Sequence, residues 1–312
     1  MLRSWLQLLR APNLFTVAGD PLAGFLLASG GHVDARLFIA ILASLCFYSH
    51  GLLLNDLADL AEDRRDRPQR PLPSGAVGLR AAWSATIALA LAALLFCLAI
   101  GRPAQVVGVA LLGAVILYNL WSKKIAIFGA INMGLCRGLS LLLGAVSAIP
   151  APAESWHASD LGRALAAVPM LAIIASAGLT LYIAAVTNLA RIETLPDPPE
   201  SPRALPFYAL IAVIVPFFIA ALDRSHPLAS TNLWLYLISA YMLYAGFKIH
   251  AKLTRSSTSP IPPTIGQLIR LLLPLQAVFC IASRSVAGGI AAAGLLLLWP
   301  ISRTVSKRFY AS

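Results

Sequence analysis

The chain has 312 residues, of which 59% are hydrophobic and 12% charged, and it carries a formal net charge of +11. Soluble proteins carry about 25% charged residues, so this composition excludes an ordinary soluble domain and points to the bilayer. The basic excess would suggest nucleic acid in a soluble chain; in a membrane chain, Lys and Arg mark the cytoplasmic loops, and no nucleic-acid partner is needed to explain it.

A helix needs about 20 predominantly apolar residues to cross the hydrocarbon core. That criterion predicts spans at 11–29, 36–55, 80–100, 104–120, 127–148, 164–186, 205–222, 231–250, 263–282 and 285–302. The fold class expected is therefore all-α, a polytopic membrane bundle of about nine to ten transmembrane helices in a single domain over 1–312. The stretch after Arg10 is long enough to stay as a spanning helix, and no cleavable signal peptide is evident. Arg270 and Gln276 weaken the ninth span, so one of the last two segments can instead be re-entrant or interfacial. Polar or Pro-rich loops are expected at 56–79, 150–162, 191–204 and 253–263. Most basic residues fall at the two termini and in the even-numbered connections. This places the N-terminus in the cytoplasm and the protein in the inner (plasma) membrane as a multi-pass chain. Cys46, Cys97, Cys136 and Cys280 stand singly in apolar runs and read as small buried hydrophobes.

Chemistry is concentrated where the second span ends. Asn55, Asp59 and Asp63 are spaced i, i+4, i+8 and share one face of a helix, with Asp56 and Glu62 flanking it. Carboxylates at a membrane helix end are costly unless hydrated or neutralised, and such a cluster is a functional candidate. Oxygen donors with no His or Cys beside them suit a hard cation such as Mg²⁺, which completes its shell with water and phosphate oxygens. Arg64, Arg65, Arg67 and Arg70 follow, and guanidinium groups clamp phosphate. Pro68, Pro71 and Pro73 stiffen this loop before Gly75. The bland alternative is a solvated basic loop with incidental acids, which the regular spacing disfavours.

Further along, Arg137 falls inside the fifth span. A charge at that depth needs a strong reason: a structural pairing with a carboxylate, or contact with a substrate. Gly134 and Gly138 form a GxxxG suited to close helix packing. His50, one turn before Asn55, is alone and reads as a structural residue.

At these residues the sequence resembles the UbiA superfamily of intramembrane aromatic prenyltransferases. Asn55 to Asp63 matches its NDxxDxxxD motif, and Arg67-Pro68-Gln69-Arg70-Pro71-Leu72-Pro73-Ser74-Gly75 matches the proline loop that follows. Arg10-Ala11-Pro12-Asn13 resembles the RPxN before its first helix, and Tyr118 with Lys123 resembles its Tyr…Lys segment. The resemblance implies a Mg²⁺-dependent transfer of an isoprenoid chain from a prenyl diphosphate to a small aromatic or cyclic acceptor. It implies Asn55, Asp59 and Asp63 as metal-holding catalytic residues, and Arg10, Asn13, Asp56, Arg67, Arg70, Tyr118 and Lys123 as substrate contacts; Arg137, from its depth alone, is a further candidate contact to substrate or diphosphate.

One departure stands out. The superfamily's second motif, DxxxD after the sixth helix, is absent; the segment there offers Asn188, Arg191 and Glu193. Glu193 and Asp197 have the spacing, but Pro196 breaks a helix between them. Arg191 then either contacts the diphosphate in place of a metal or marks a member that has lost the reaction. The combination of Arg137 with this segment looks like the UbiA-like members of the bacterial ebo gene clusters. A non-catalytic protein that binds or passes on a lipid is the second reading. A transporter, which would show inverted repeats or broken helix pairs, is the third. The sequence gives no oligomeric state.

Overall fold

The computed structural model describes residues 2–10, 13–149, 162–163, 165–192, 201–222, 231–255 and 261–309. Its elements are helices, and no strand occurs among the described residues. In chain order they are α1 (Leu2–Leu8), α2 (Leu14–Ser29), α3 (Ala35–Ala58), α4 (Leu60–Asp66), α5 (Leu79–Ile100), α6 (Arg102–Leu120), α7 (Ala126–Ser147), α8 (Met170–Ile192), α9 (Ser201–Ala221), α10 (Thr231–Arg255), α11 (Ile261–Arg270), α12 (Leu272–Ala282) and α13 (Val286–Phe309). A 3₁₀ turn, Ser122–Lys124, joins α6 to α7. The loop expected at 150–162 lies almost wholly outside the described residues, as do 193–200 and 256–260.

The apolar residues face outward as well as inward. On α5, Trp83, Ile87, Leu91, Leu95 and Leu98 recur every three or four residues and are all exposed. A helix apolar on its outer face is at equilibrium in lipid rather than water. Seven helical stretches are long and apolar enough to cross a membrane, and Leu14–Ser29 and Val286–Ser302 are shorter apolar helices. The chain is a multi-pass membrane protein. Two expectations change. The span expected at 231–250 forms a helix, but it is not among those seven stretches; Tyr236, Tyr241, Tyr244 and Lys248 interrupt its apolar run. The ninth span is a helix broken at Leu271. Pro274 explains the break: it lacks the N–H that would bond the Arg270 carbonyl, and its ring crowds that turn. The buried Tyr182 hydroxyl donates to the Leu268 carbonyl beside the break at 2.8 Å.

Local signals set the helix ends. α2 stops at Gly30, whose left-handed φ of 61° lets its N–H return to the Leu26 carbonyl. α3 starts at Asp34, whose carboxylate accepts from the Arg36 N–H at 2.8 Å.

Helix α7 is the centre, packed against α2 on one flank and α8 on another. Both contacts need small residues. A Cβ on Gly138 would meet the Ser176 carbonyl at 2.7 Å, and one on Gly134 would collide with the Thr180 carbonyl. The GxxxG is thus a packing motif, as expected. On the other flank Gly24 and Gly144 bring the backbones of α2 and α7 together.

A buried polar network bolts this junction. Asp20 on α2 has no exposed surface, and its Oδ2 lies 2.8 Å from Arg137 Nε on α7. Arg137 Nη2 also donates to Asp20 Oδ1 at 3.1 Å and to the Thr16 carbonyl at 2.8 Å. Gln276 on α12 donates to the same two acceptors at 2.6 Å each. Three helices remote in sequence therefore share one set of hydrogen bonds in a region where water cannot substitute.

Removing one member of such a pair leaves an uncompensated charge and costs about 3–5 kcal/mol. Asp20→Ala and Arg137→Met should each lower unfolding stability by that order in detergent micelles. The double variant Asp20→Ala/Arg137→Met should cost clearly less than the sum. Additive losses in the four-member cycle would show that the two charges do not stabilise one another.

Candidate active site

The acids stand where α3 gives way to α4. The i→i+4 ladder continues through the junction: Asp59 N–H bonds the Asn55 carbonyl at 3.0 Å, and Asp63 N–H bonds the Asp59 carbonyl at 2.8 Å. The backbone bends at Asp59, with φ −92° and ψ 4°. The expected single face consequently divides into two cation-bound pairs. Lys123 Nζ lies 2.5 Å from Asp59 Oδ1 and 3.2 Å from Asn55 Oδ1. Arg70 Nη1 lies 2.7 Å from Oδ2 of the buried Asp63. Among the described residues no three His, Cys, Asp or Glu side chains converge as a metal cluster.

Lys123 is held from two directions. The preceding Ser122 is buried and receives a hydrogen bond from Asn132 Nδ2 at 2.9 Å. The following residues Ile125 and Ala126 offer their carbonyls to Arg191 Nη1, both at 2.9 Å. Arg191, expected as a diphosphate contact, thus braces the turn that carries Lys123. Glu193 lies outside the described residues, and the side chain of Asn188 on α8 makes no hydrogen bond among them.

A cavity of about 310 Å³ runs inward from the acids. Arg10, Asn55 and Tyr118 form its mouth, and Ser44, Arg137 and Ser140 line it three turns deeper, roughly 16 Å along α3 from Asn55. Between them the wall is largely apolar and aromatic, with Phe47, Leu111, Val115 and Met133. Arg10 is held at φ 44°, a left-handed turn between α1 and α2. The deep end is polar but uncharged overall. Arg137 is compensated by Asp20, and the Ser44 and Ser140 hydroxyls are 2.6 Å apart. Asn119 Nδ2 is tied to the Val115 carbonyl at 2.9 Å, while its buried Oδ1 has no partner.

The structure therefore brings together Arg10, Asn55, Asp59, Tyr118 and Lys123, with Asp63 and Arg70 alongside. Asn13 does not line the cavity: its side chain makes no hydrogen bond among the described residues, and its carbonyl accepts from Thr16 Oγ1. Arg67 is exposed on the proline loop. Nearby, Arg65 at 2.8 Å holds the exposed Asp66 carboxyl below the usual carboxylate range. His50 is structural, with Nδ1 3.0 Å from the Thr86 carbonyl. Sequence reasoning missed Asp20, Asn119, Asn132 and the serine pair. Only Asp20 carried a usable signal, because a carboxylate inside an apolar span calls for a partner such as Arg137.

The donor set fits a hard divalent cation. The amide oxygen of Asn55 and a carboxylate oxygen of Asp59 already converge on one cationic centre, the Lys123 ammonium. The buried Asp56 Oδ1, one residue from Asn55, has no partner. All are oxygen ligands of the kind Mg²⁺ takes.

Comparison with known proteins identifies the family. The model of the UbiA prenyltransferase family matches residues 21–261. The chain is similar to the digeranylgeranylglyceryl phosphate synthase of Ignicoccus hospitalis, 31% identical over 175 residues, which are 55% of this chain and 54% of that protein. It is similar also to the synthase of the same name from Saccharolobus solfataricus, 25% identical over 147 residues, 47% and 52% of the two chains. The chain spans about half the length of the curated relatives it matches. In fold it is similar to a UbiA homologue from Aeropyrum pernix K1, with a TM-score of 0.67 at 18% identity over 85% of this chain and 96% of that one. A UbiA homologue from Archaeoglobus fulgidus bound to DMAPP and Mg²⁺ gives 0.65 at 14% identity over 93% and 99%. With the family's match covering most of the chain and the acidic motif, proline loop and Lys123 in one place, this chain belongs to the UbiA prenyltransferase family.

Proposed function

We propose that the chain is an intramembrane prenyltransferase that moves an isoprenoid chain from a prenyl diphosphate to a small aromatic or cyclic acceptor. The observation that carries the reading is the Asn55/Asp59 pair, which binds the Lys123 ammonium and whose Asn55 lines the mouth of a largely apolar cavity together with Arg10 and Tyr118. A substrate with a charged diphosphate head and a hydrocarbon tail matches that division. We further propose that the acids face the cytoplasm of the plasma membrane, with the N-terminus on the same side.

Asn55 and Asp59 would hold Mg²⁺, with Asp63 joining them on release from Arg70, and the bound ion would neutralise charge on a leaving diphosphate. Arg10 and Lys123 place fixed positive charge at the mouth, where charge develops as the allylic C–O bond breaks. Phe47, Tyr48 and Tyr118 line the cavity with aromatic rings, the groups that stabilise a cation. The acceptor forms the new bond to the allylic carbon and loses one proton. At the deep end Arg137, already balanced by Asp20, offers hydrogen bonding without net charge. That suits an uncharged ring oxygen or hydroxyl better than a carboxylate.

A second reading rests on the second motif. With Arg191 engaged by backbone carbonyls and no Asp pair in the segment, the chain could bind a prenyl diphosphate and pass it on unreacted.

Incubating membranes that contain the protein with labelled prenyl diphosphates of several lengths, Mg²⁺ and a panel of acceptors separates the two. The expected outcome is a prenylated product that disappears with EDTA and falls by roughly 10²–10³ in Asp59→Ala. Tight diphosphate binding with no product at any chain length would support the second reading instead.

Arg191→Ala should loosen the turn that holds Lys123. Diphosphate affinity should drop by about tenfold, the cost of roughly one charge-assisted hydrogen bond, with partial recovery in Arg191→Lys. Unchanged affinity in Arg191→Ala would remove it from the site.

A further inference from the structure

A groove of about 490 Å³ lies on another flank of the bundle and shares no residue with the cavity described above. Its walls include Tyr241, Tyr244 and Lys248 on α10, Gln267 and Arg270 on α11, and Trp299 on α13. Three of these six lie C-terminal to the region matched by the family, 21–261. No carboxylate lines the groove. Lys248 Nζ sits 5.4 Å above the Tyr244 ring, and the Tyr241 ring meets Trp299 edge-on at 5.5 Å. Lys248 makes no ion pair among the described residues. Lys252, one turn further on the same helix, is exposed.

Its level in the bundle follows from helix pairings. Gly178 of α8 packs against Val213 of α9, and Gly246 of α10 packs against Leu210 of α9. Arg203 near the start of α9 donates to the Leu253 carbonyl near the end of α10 at 3.2 Å. These antiparallel contacts put the C-terminal end of α10 at the same end as Arg191 and the Lys123 turn. Lys248 stands two turns before α10 ends, on the acid-site side of the bundle. From Lys248 toward the N-terminal end of α10, the same face continues as Tyr244, Tyr241, Leu237 and Leu233, all exposed. The track from Leu233 to Lys248 is about 22 Å long at 1.5 Å per residue. Its part nearer Lys248, about 16 Å from Leu237, runs from aliphatic through aromatic to cationic, the order of a bilayer leaflet from acyl chain to interface to headgroup.

We propose that this groove binds one anionic phospholipid, with its phosphate between Lys248 and Arg270 and an acyl chain along Tyr241, Leu237 and Leu233. Basic pockets between transmembrane helices recognise anionic headgroups, and each cation near the surface adds about 1 kcal/mol, or about fivefold in affinity. Tyr241, Tyr244 and Trp299 supply the amphipathic rings that settle at headgroup depth. A zwitterionic lipid would gain the acyl contacts without the charge complementarity.

The test uses the full chain in detergent with brominated-chain phosphatidylglycerol or phosphatidylcholine as quenchers of tryptophan fluorescence. Trp299→Phe identifies the component that reports on the groove. Phosphatidylglycerol should quench that component at tenfold or more lower mole fraction than phosphatidylcholine, and inorganic phosphate should not displace it. Lys248→Gln should weaken the anionic lipid about fivefold and leave phosphatidylcholine unchanged. Lys248→Gln/Arg270→Gln should erase the preference. Lys248→Gln, on an exposed flank, carries the test alone if the double variant does not fold. Equal quenching by the two lipids, an unchanged preference in Lys248→Gln, or displacement by inorganic phosphate would overturn the proposal.

Discussion

Asp20 and Arg137 meet in the interior of a bundle that otherwise offers them nothing. Neither charge could stay there alone, because the hydrocarbon around the helices cannot solvate it. Together with Gln276 and the Thr16 carbonyl they form a neutral, hydrogen-bonded unit. The unit joins α2, α7 and α12, and it works only where those backbones come close, which Gly24 and Gly144 permit. Much of the functional geometry is downstream of this junction. The turn carrying Arg10 leads into α2, Lys123 precedes α7, and the cavity lies against both helices and α3.

The acidic end solves the same electrostatic problem differently. Asp59 and Asp63 each take a cation supplied by the chain, Lys123 from the α6–α7 turn and Arg70 from the proline loop. These pairs lie at the margin of the bundle, where Asp59, Lys123 and Arg70 keep part of their side chains exposed although Asp63 is buried, and the interactions are softer than the Asp20–Arg137 pair. A softer pair can be exchanged for another cation or a phosphate at modest cost. The deep pair cannot. The molecule thus separates a permanent polar unit that fixes helix positions from a replaceable one suited to binding, and Arg191 belongs with the first kind as much as the second because it grips backbone carbonyls.

What the sequence made legible follows from how local each signal is. Helix existence was readable because lipid imposes a length and an apolar composition on each segment independently. The acidic motif was readable because an i, i+4, i+8 spacing is a property of a single helix. The role of Gly134 and Gly138 in packing was readable for the same reason. The division of the acids into two pairs was not, since Lys123 reaches Asp59 from 64 positions away. Gln276 reaches Asp20 across 256 positions, and in the sequence it registered merely as a weakness in the ninth span. The break at Leu271 was half visible. Polar residues marked the segment as unusual, but Pro274 and the Tyr182 hydroxyl decide where it breaks. Asn119 and Asn132, buried amides in long apolar helices, gave no periodic signal at all.

The distribution of charge along the bundle constrains what it can accommodate. Charge that can be exchanged, at Lys123, Asp59, Arg70 and Lys248, stands at one end, while the interior holds charge only in a compensated form. A ligand with an anionic head and a neutral body can enter with its head at that end and its body inside, burying apolar surface at about 25 cal/mol per Å² without dragging charge into hydrocarbon. The reverse orientation would place an anion against the Asp20–Arg137 unit, where binding it means weakening a pair that holds three helices together. The amphiphilic axis of the cavity is therefore a consequence of how the fold is stabilised. The same axis governs the outer groove, where Leu233 to Lys248 repeats the order from neutral to charged on a surface facing lipid. Two sites with unrelated residues share a polarity because both are cut from helices that cross one dielectric boundary in the same sense.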